Sequence, residues 1–258
     1  MSAIARRGLN VAAGAALVFM VAPLLLVVAI SFGSSEVMTF PMPGLTLGWY
    51  AKLLARDDFW GALRNTLIVS FSVAALATCI GAMAAIVISR MRPKQAAASY
   101  LLFGLPMMMP PLVLALVLLS AFSFAGVKLS LFTVILAHLT FTMPLVVLIV
   151  AAHLGDFDYA VLHSARDLGA SPLRTFVTVT FPVIRPTLLG AALMAMALSL
   201  DDFVITFFMI GGGNTLPTLV WGTLRTGLDP SINALGTLIL AFTLGTSTVA
   251  LWLTRFRG

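Results

Sequence analysis

Charge is what this sequence has least of. Only 9% of its 258 residues are Asp, Glu, Lys or Arg, against about 25% in soluble domains. A soluble chain of this length must still cover its surface with polar groups, so the deficit excludes an ordinary soluble domain. A bilayer removes that requirement, and the 60% hydrophobic content places the chain in the membrane class. Cysteine is nearly absent. Cys79 alone cannot form an internal disulfide or a metal site, and in the apolar run 73–88 it reads as a small buried side chain. No G-x-x-x-x-G-K-[ST] occurs, so nothing cradles ATP phosphates. Gly211-Gly-Gly213 lacks the Lys and the following helix, and reads as a flexible outer loop. No His/Cys/carboxylate cluster has ligand spacing and no Ser/His/Asp arrangement is readable. A membrane metalloenzyme or hydrolase therefore has no sequence support.

What charge exists is unevenly placed. The net +6 comes from short basic clusters at the ends of apolar runs: Arg6 and Arg7, then Arg90, Arg92 and Lys94, then Arg255 and Arg257. Without a basic face or an aromatic-interleaved stripe, nucleic acid is not a partner. Such clusters orient helices in a membrane. The apolar stretch after Arg7 runs from about Leu9 to Phe32, too long for a signal-peptide core, and reads as a retained first span.

Six apolar segments stand out, near 9–32, 63–89, 99–124, 131–153, 183–210 and 232–253. Each can cross about 30 Å of hydrocarbon as a helix, the form that satisfies its own backbone in lipid. The expected fold is all-α integral membrane, one transmembrane domain over 1–258. Gly81, Gly104, Gly190, Gly236 and Gly245 would permit close helix packing. Alternation puts both termini and the loops 90–98 and 154–182 on one side. That side holds Arg6, Arg7, Arg90, Arg92, Lys94, Arg166, Arg174, Arg185, Arg255 and Arg257; the other holds Lys52, Arg56, Arg64, Lys128 and Arg225. The basic excess makes the first side, with both termini, cytoplasmic.

Two loops are long enough to fold. The outer loop 33–62 has Pro41, Pro43 and Gly44, then a short helix from Leu47 to Ala55, with Trp49 and Tyr50 suited to the membrane interface. In the inner loop, Asp158 can cap a helix on which Val161, Leu162, Ala165 and Leu168 share one face. His163, Arg166 and Asp167 take the remaining surface. Gly169 supplies a left-handed stop, and Ser171-Pro172 starts a second helix. A short amphipathic helix under a membrane either rests on lipid or plugs into a groove on a cytoplasmic partner.

His163-Ser-Ala-Arg-Asp-Leu-Gly169, nine residues, then Val179-Thr-Phe-Pro182 resembles the EAA motif of ABC importer permeases. That pattern is Glu-Ala-Ala, three residues, Gly, nine residues, Ile-x-Leu-Pro. Ala165, Gly169 and Pro182 match; His163 and Ser164 replace the Glu and the first Ala. The likeness extends over about residues 10–255. Leu198-Ser-Leu-Asp-Asp-Phe203, Leu216-Pro and Asp229-Pro-Ser-Ile-Asn-Ala-Leu235 look like the polyamine (spermidine/putrescine) branch, second permease of the pair. Pro111, however, stands where branch members often carry an acid. The resemblance implies a type I (MetI-like) importer architecture in a bacterial inner membrane, with Val161, Leu162, His163, Ser164, Ala165, Arg166, Asp167, Leu168 and Gly169 as the coupling helix. It also implies a second permease subunit, two ATP-binding subunits carrying ATP and Mg, and an extracytoplasmic solute-binding protein. This chain itself would bind no cofactor.

Asp201 and Asp202 are the carboxylates inside a predicted span. Each costs roughly 2.5–3.5 kcal/mol at a helix centre. They either line the path of a cationic solute, with hydrogen bonds from Ser199 and Thr206, or serve as an ion pair, a cap to a broken helix or an outer-end group. Trp49 either stacks on a solute amine or anchors at the interface. His138, alone within the fourth span, reads as hydrogen-bonded structure rather than a proton relay, and His153 as solvated. The rival reading is a proton- or sodium-coupled secondary transporter, which would need midplane titratable groups and internal repeats. A different small organic solute is the nearer alternative.

Overall fold

The computed structural model describes residues 3–35, 42–155, 157, 160–226 and 229–255. The expected cap Asp158, the neighbouring Asp156 and Tyr159, and Arg257 lie outside the described residues, as does the side chain of His163. The helices are α1 (Ala3–Ser31), α2 (Gly48–Leu54), α3 (Asp57–Ile88), α4 (Pro93–Met108), α5 (Pro111–Phe124), α6 (Leu131–Gly155), α7 (Ala160–Asp167), α8 (Pro172–Thr175), α9 (Phe181–Asp201), α10 (Val204–Met209), α11 (Leu216–Thr226) and α12 (Ser231–Arg255). Among the described residues the extended backbone is limited to an isolated bridge between Gly33 and Leu45. A π-helical turn, Phe176–Thr180, joins α8 to α9 without interrupting the rod.

Four helical rods among the described residues are long and apolar enough to cross a membrane: 6–31, 57–88, 131–155 and 172–201. The expected third span, 99–124, is instead two helices bent by 99°. Proline causes the bend. Pro110 and Pro111 lack backbone N–H groups, and the residue before a proline is pushed to extended backbone. Met109 takes φ −78°, ψ 138° and Pro110 ψ 134° accordingly. Counted as one, the pair makes a fifth span. The expected fifth segment, 183–210, begins earlier and is broken at Asp202–Phe203. In the expected sixth, the apolar stretch described is the shorter 231–245.

The chain divides into two compact units, residues 1–60 with 219–245 and residues 61–218 with 246–258. In the first, residues 6–27 of α1 are exposed throughout although apolar, as suits a helix whose solvent is lipid. A Cβ added at Gly236 of α12 would lie at ordinary van der Waals distance from Val27. The Trp49 Nε1–H of α2 donates to the Gly33 carbonyl at 2.7 Å, and the Tyr50 hydroxyl meets Ser31 Oγ at 2.7 Å. Lys52 Nζ lies 3.1 Å from Asp229 Oδ2 and 5.7 Å from the Trp49 ring centroid. Partial burial pushes the Asp229 carboxyl up, but the Ser231 N–H and Lys52 together hold it below the usual carboxylate range.

In the second unit α6 is the hub. One cluster packs Ala77 and Ala85 of α3 and Ile184, Ala191 and Ala195 of α9 against Val146, Val147 and Val150 of α6. The other packs Val69 and Val73 of α3, Leu114 of α5 and Ile205 and Met209 of α10 around Val134 and Ala137. Lipid is as apolar as leucine, so close packing rather than exclusion from water holds such helices together. Gly81 shows it: a Cβ there would lie 2.9 Å from Val146 Cβ. Gly104, Gly190 and Gly245 have no such neighbour within 4 Å. Cys79, expected to be buried, is exposed on α3.

Candidate functional site

Asp202 sits where α9 stops. Its ψ of 118° takes the backbone out of the helix, and α10 begins at Val204. The first turn of a new helix has backbone N–H groups with no carbonyl to meet. Asp202 Oδ2 accepts the Thr206 N–H at 2.8 Å and lies 3.2 Å from the Thr206 hydroxyl. The carboxylate thus does the work of a cap.

The break is also held from α6. His138 is fully buried. Its Nδ1 lies 2.8 Å from Ser199 Oγ on α9, and its Nε2 lies 3.0 Å from Thr206 Oγ1 on α10 and 3.2 Å from Asp202 Oδ2. The Phe141 ring closes over it at 5.4 Å between centroids. A second tie from the same helix is the Thr133 hydroxyl, which donates to the Met209 carbonyl at 2.7 Å. Ser199, Asp202 and Thr206 therefore meet at one buried cluster. Asp201 does not join it: its residue is exposed and makes no hydrogen bond or ion pair among the described residues. Adjacent helical positions differ by about 100°, so the inward turn of one carboxylate turns the other away. Trp49 belongs to the first unit, and its ring carries the Lys52 ammonium.

In the sequence His138 reads as hydrogen-bonded structure and not as a site residue. The available signal was general: an ionisable group inside an apolar segment has a partner. Which partner could not be read, because Ser199 and Thr206 lie 61 and 68 residues away.

The loop Gly211-Gly-Gly213 is more constrained than its composition suggests. Gly211 and Gly213 have φ of +67° and +80°, and a Cβ on Gly211 would collide with the Leu129 backbone. Asn65 Nδ2 reaches the Asn214 carbonyl at 2.9 Å, and Thr66 Oγ1 accepts the Leu216 N–H at 2.8 Å.

On the other candidate segment, α7 ends at Asp167 and Gly169 takes φ +84°. The Gly169 N–H donates to the Arg166 carbonyl at 2.8 Å and the Ala170 N–H to the Ala165 carbonyl at 3.1 Å. That pair of bonds is a Schellman stop. Ser171 Oγ then accepts the Arg174 N–H at 3.3 Å with Pro172 in the first turn of α8. Leu162 and Ala165 are half-buried, while Val161, Ser164, Arg166, Asp167 and Gly169 are exposed. Leu168 and Leu173 are 88% and 73% exposed. Two leucines on a short, rigidly stopped turn are left uncovered.

In the second unit a broken, acid-bearing helix packs against the α6 hub, and comparison with known proteins supplies the class, a transport permease. Residues 77–256 match the family described as binding-protein-dependent transport system inner membrane component, and the chain belongs to it. It is a multi-pass protein of the bacterial inner membrane. It is 35% identical over 230 residues to the putrescine transport system permease protein PotI of Escherichia coli (strain K12), covering 86% of this chain and 82% of that one. With the spermidine/putrescine transport system permease protein PotC of Haemophilus influenzae it shares 31% identity, covering 90% and 91%. A chain of the bacterial alginate ABC transporter, crystallised with an alginate pentasaccharide-bound periplasmic protein, superposes with a TM-score of 0.70 at 16% identity, covering 98% of this chain and 92% of that one. One from the MetNI methionine ABC transporter, inward facing, gives 0.65 at 16%, covering 79% and 99%. These structural likenesses establish the fold.

Proposed function

We propose that the chain is one permease subunit of an ATP-driven importer and forms half of the path for a polyamine or related cationic amine. The exposed α7, closed at Gly169, carries the reading: a rigid knob with uncovered Leu168 is suited to a groove on a cytoplasmic ATP-binding subunit. ATP and Mg belong to two such subunits, none to this chain. A second permease subunit completes the path, and an extracytoplasmic binding protein delivers the solute. Both termini and α7 face the cytoplasm, in keeping with the basic residues. The relatives named for putrescine and spermidine supply the solute class. Asp201, exposed and unpaired among the described residues, is the acid that meets the solute; Asp202, Ser199 and Thr206 form the wall behind it. At Trp49 a solute ammonium would have to displace Lys52 from the ring.

The test is an affinity pull-down of the tagged chain from native membranes, with mass spectrometry of its companions and uptake of labelled putrescine in the reconstituted material. An ATP-binding subunit and a second permease should co-purify, and spermidine should compete with putrescine. Recovery of this chain alone, in a preparation that still transports, would sink the importer and favour a secondary transporter.

A further inference from the structure

We infer that His138 is a positioning residue for transport: it splints the break between α9 and α10 and thereby fixes which way Asp201 presents its carboxylate. The inference rests on the reading that Asp201 meets a cationic solute.

Between Asp201 and Val204 the helical hydrogen-bond ladder is interrupted, so backbone bonding alone does not set the angle between the two helices. Side chains must do it. His138 is the fully buried titratable group among the described residues, and its two ring nitrogens reach one residue on each side of the break, Ser199 and Thr206. A ring is stiff, so the separation of its nitrogens becomes the separation of the two helices at that point.

For a neutral ring the proton inventory admits one consistent arrangement. Asp202 Oδ2 accepts the Thr206 N–H, so it is an acceptor. The Thr206 hydroxyl has one proton and gives it to the same oxygen. Thr206 Oγ1 can then only accept from His138, which places a proton on Nε2. A bare Nε2 would instead set two lone pairs against each other across the 3.2 Å to Asp202 Oδ2. The Ser199 hydroxyl fills the ring's other nitrogen by donating to Nδ1. Every donor has an acceptor, and in a low-dielectric interior a fully satisfied network of this kind is stiff. Asp202 is held inward, and Asp201 is turned out.

Two measurements test this. The chain holds three histidines, so with this chain alone labelled with 15N-histidine and assembled in its native complex in bilayers, few imidazole signals appear. The His138 pair, assigned by its loss in His138→Gln, should show Nε2 protonated and Nδ1 bare. In uptake, His138→Leu should raise KM for putrescine about tenfold, on the order of one lost hydrogen bond to a charged group, with unchanged amounts in the membrane. His138→Gln, whose amide nitrogen can reach the place of Nε2 and donate, should restore most of the affinity. A proton on Nδ1, a wild-type KM in the leucine variant, or a glutamine variant no better than leucine would each overturn the inference. Should the leucine variant fail to reach the membrane, Thr206→Val removes the same link from the α10 side and takes its place. If the unaltered complex takes up no amine, the solute reading fails, while the nitrogen signals still report on the splint.

Discussion

Asp201 and Asp202 are neighbours with opposite surroundings, and the difference decides what each substitution does. Asp202 Oδ2 is engaged by the Thr206 backbone, the Thr206 hydroxyl and His138, and its side chain is 13% exposed. Asp201 is exposed and unpaired among the described residues. Asp201→Asn removes a charge and no contact, so it should leave thermal stability within about 0.5 kcal/mol of the parent while raising KM for a dication. Asp202→Asn should lower stability and, by loosening the splint that orients Asp201, raise KM as well. Its amide oxygen can take the place of Oδ2 and still accept from Thr206 and Nε2, but without the negative charge each of those bonds is weaker. A lost cap or charged hydrogen bond is worth about 1–2 kcal/mol. Melting curves in detergent beside putrescine uptake separate the two. If Asp201→Asn transports with the parent's KM, the exposed carboxylate does not meet the solute.

Elements whose ends are set by local chemistry were legible before the structure. Gly169 and Ser171-Pro172 mark the ends of α7 and α8 because a left-handed residue and a hydroxyl cap act within four residues. The bend between α4 and α5 was in the sequence too, at Pro110-Pro111, but a hydropathy reading joins apolar residues across it. The cluster at His138 was not legible, since its members come together only when α6 packs against α9 and α10. Helix contact is equally hidden. Five glycines looked alike, yet Gly81 alone of them presses its backbone against a neighbour closely enough to forbid a Cβ. Gly81→Ala sets two magnitudes against each other. Alanine favours a helix over glycine by about 1 kcal/mol, whereas forcing a carbon into a packed contact costs about 1–3 kcal/mol. The intruded atom is Val146 Cβ, which cannot move without α6. The clash should win, and the variant should melt earlier than the parent; Gly190→Ala, with open space around it, should melt no earlier. Equal destabilisation by both would show that Gly81 is not a packing contact.

On the importer reading proposed above, moving α7 would require that the ATP-binding subunits hold it differently in their two states; equal grip in both would move nothing. A knob transmits force only if its own shape does not yield. Gly169 is therefore the point to alter, because its φ of +84° closes the Schellman turn that sets Leu168 on the surface. A left-handed conformation costs an ordinary L-residue about 1–2 kcal/mol, and a branched side chain suffers further from crowding. Gly169→Val should relax the turn, leave the membrane spans inserted, and separate ATP hydrolysis from putrescine uptake. Asparagine tolerates the left-handed region, so Gly169→Asn should keep most of the coupling. ATPase activity stimulated by solute-loaded binding protein, measured with uptake in the same proteoliposomes, reads both variants. Normal stimulation and uptake with valine would mean that the stop at Gly169 does not transmit the motion. Equal loss with asparagine would mean that the position matters through contact with the partner rather than through backbone shape.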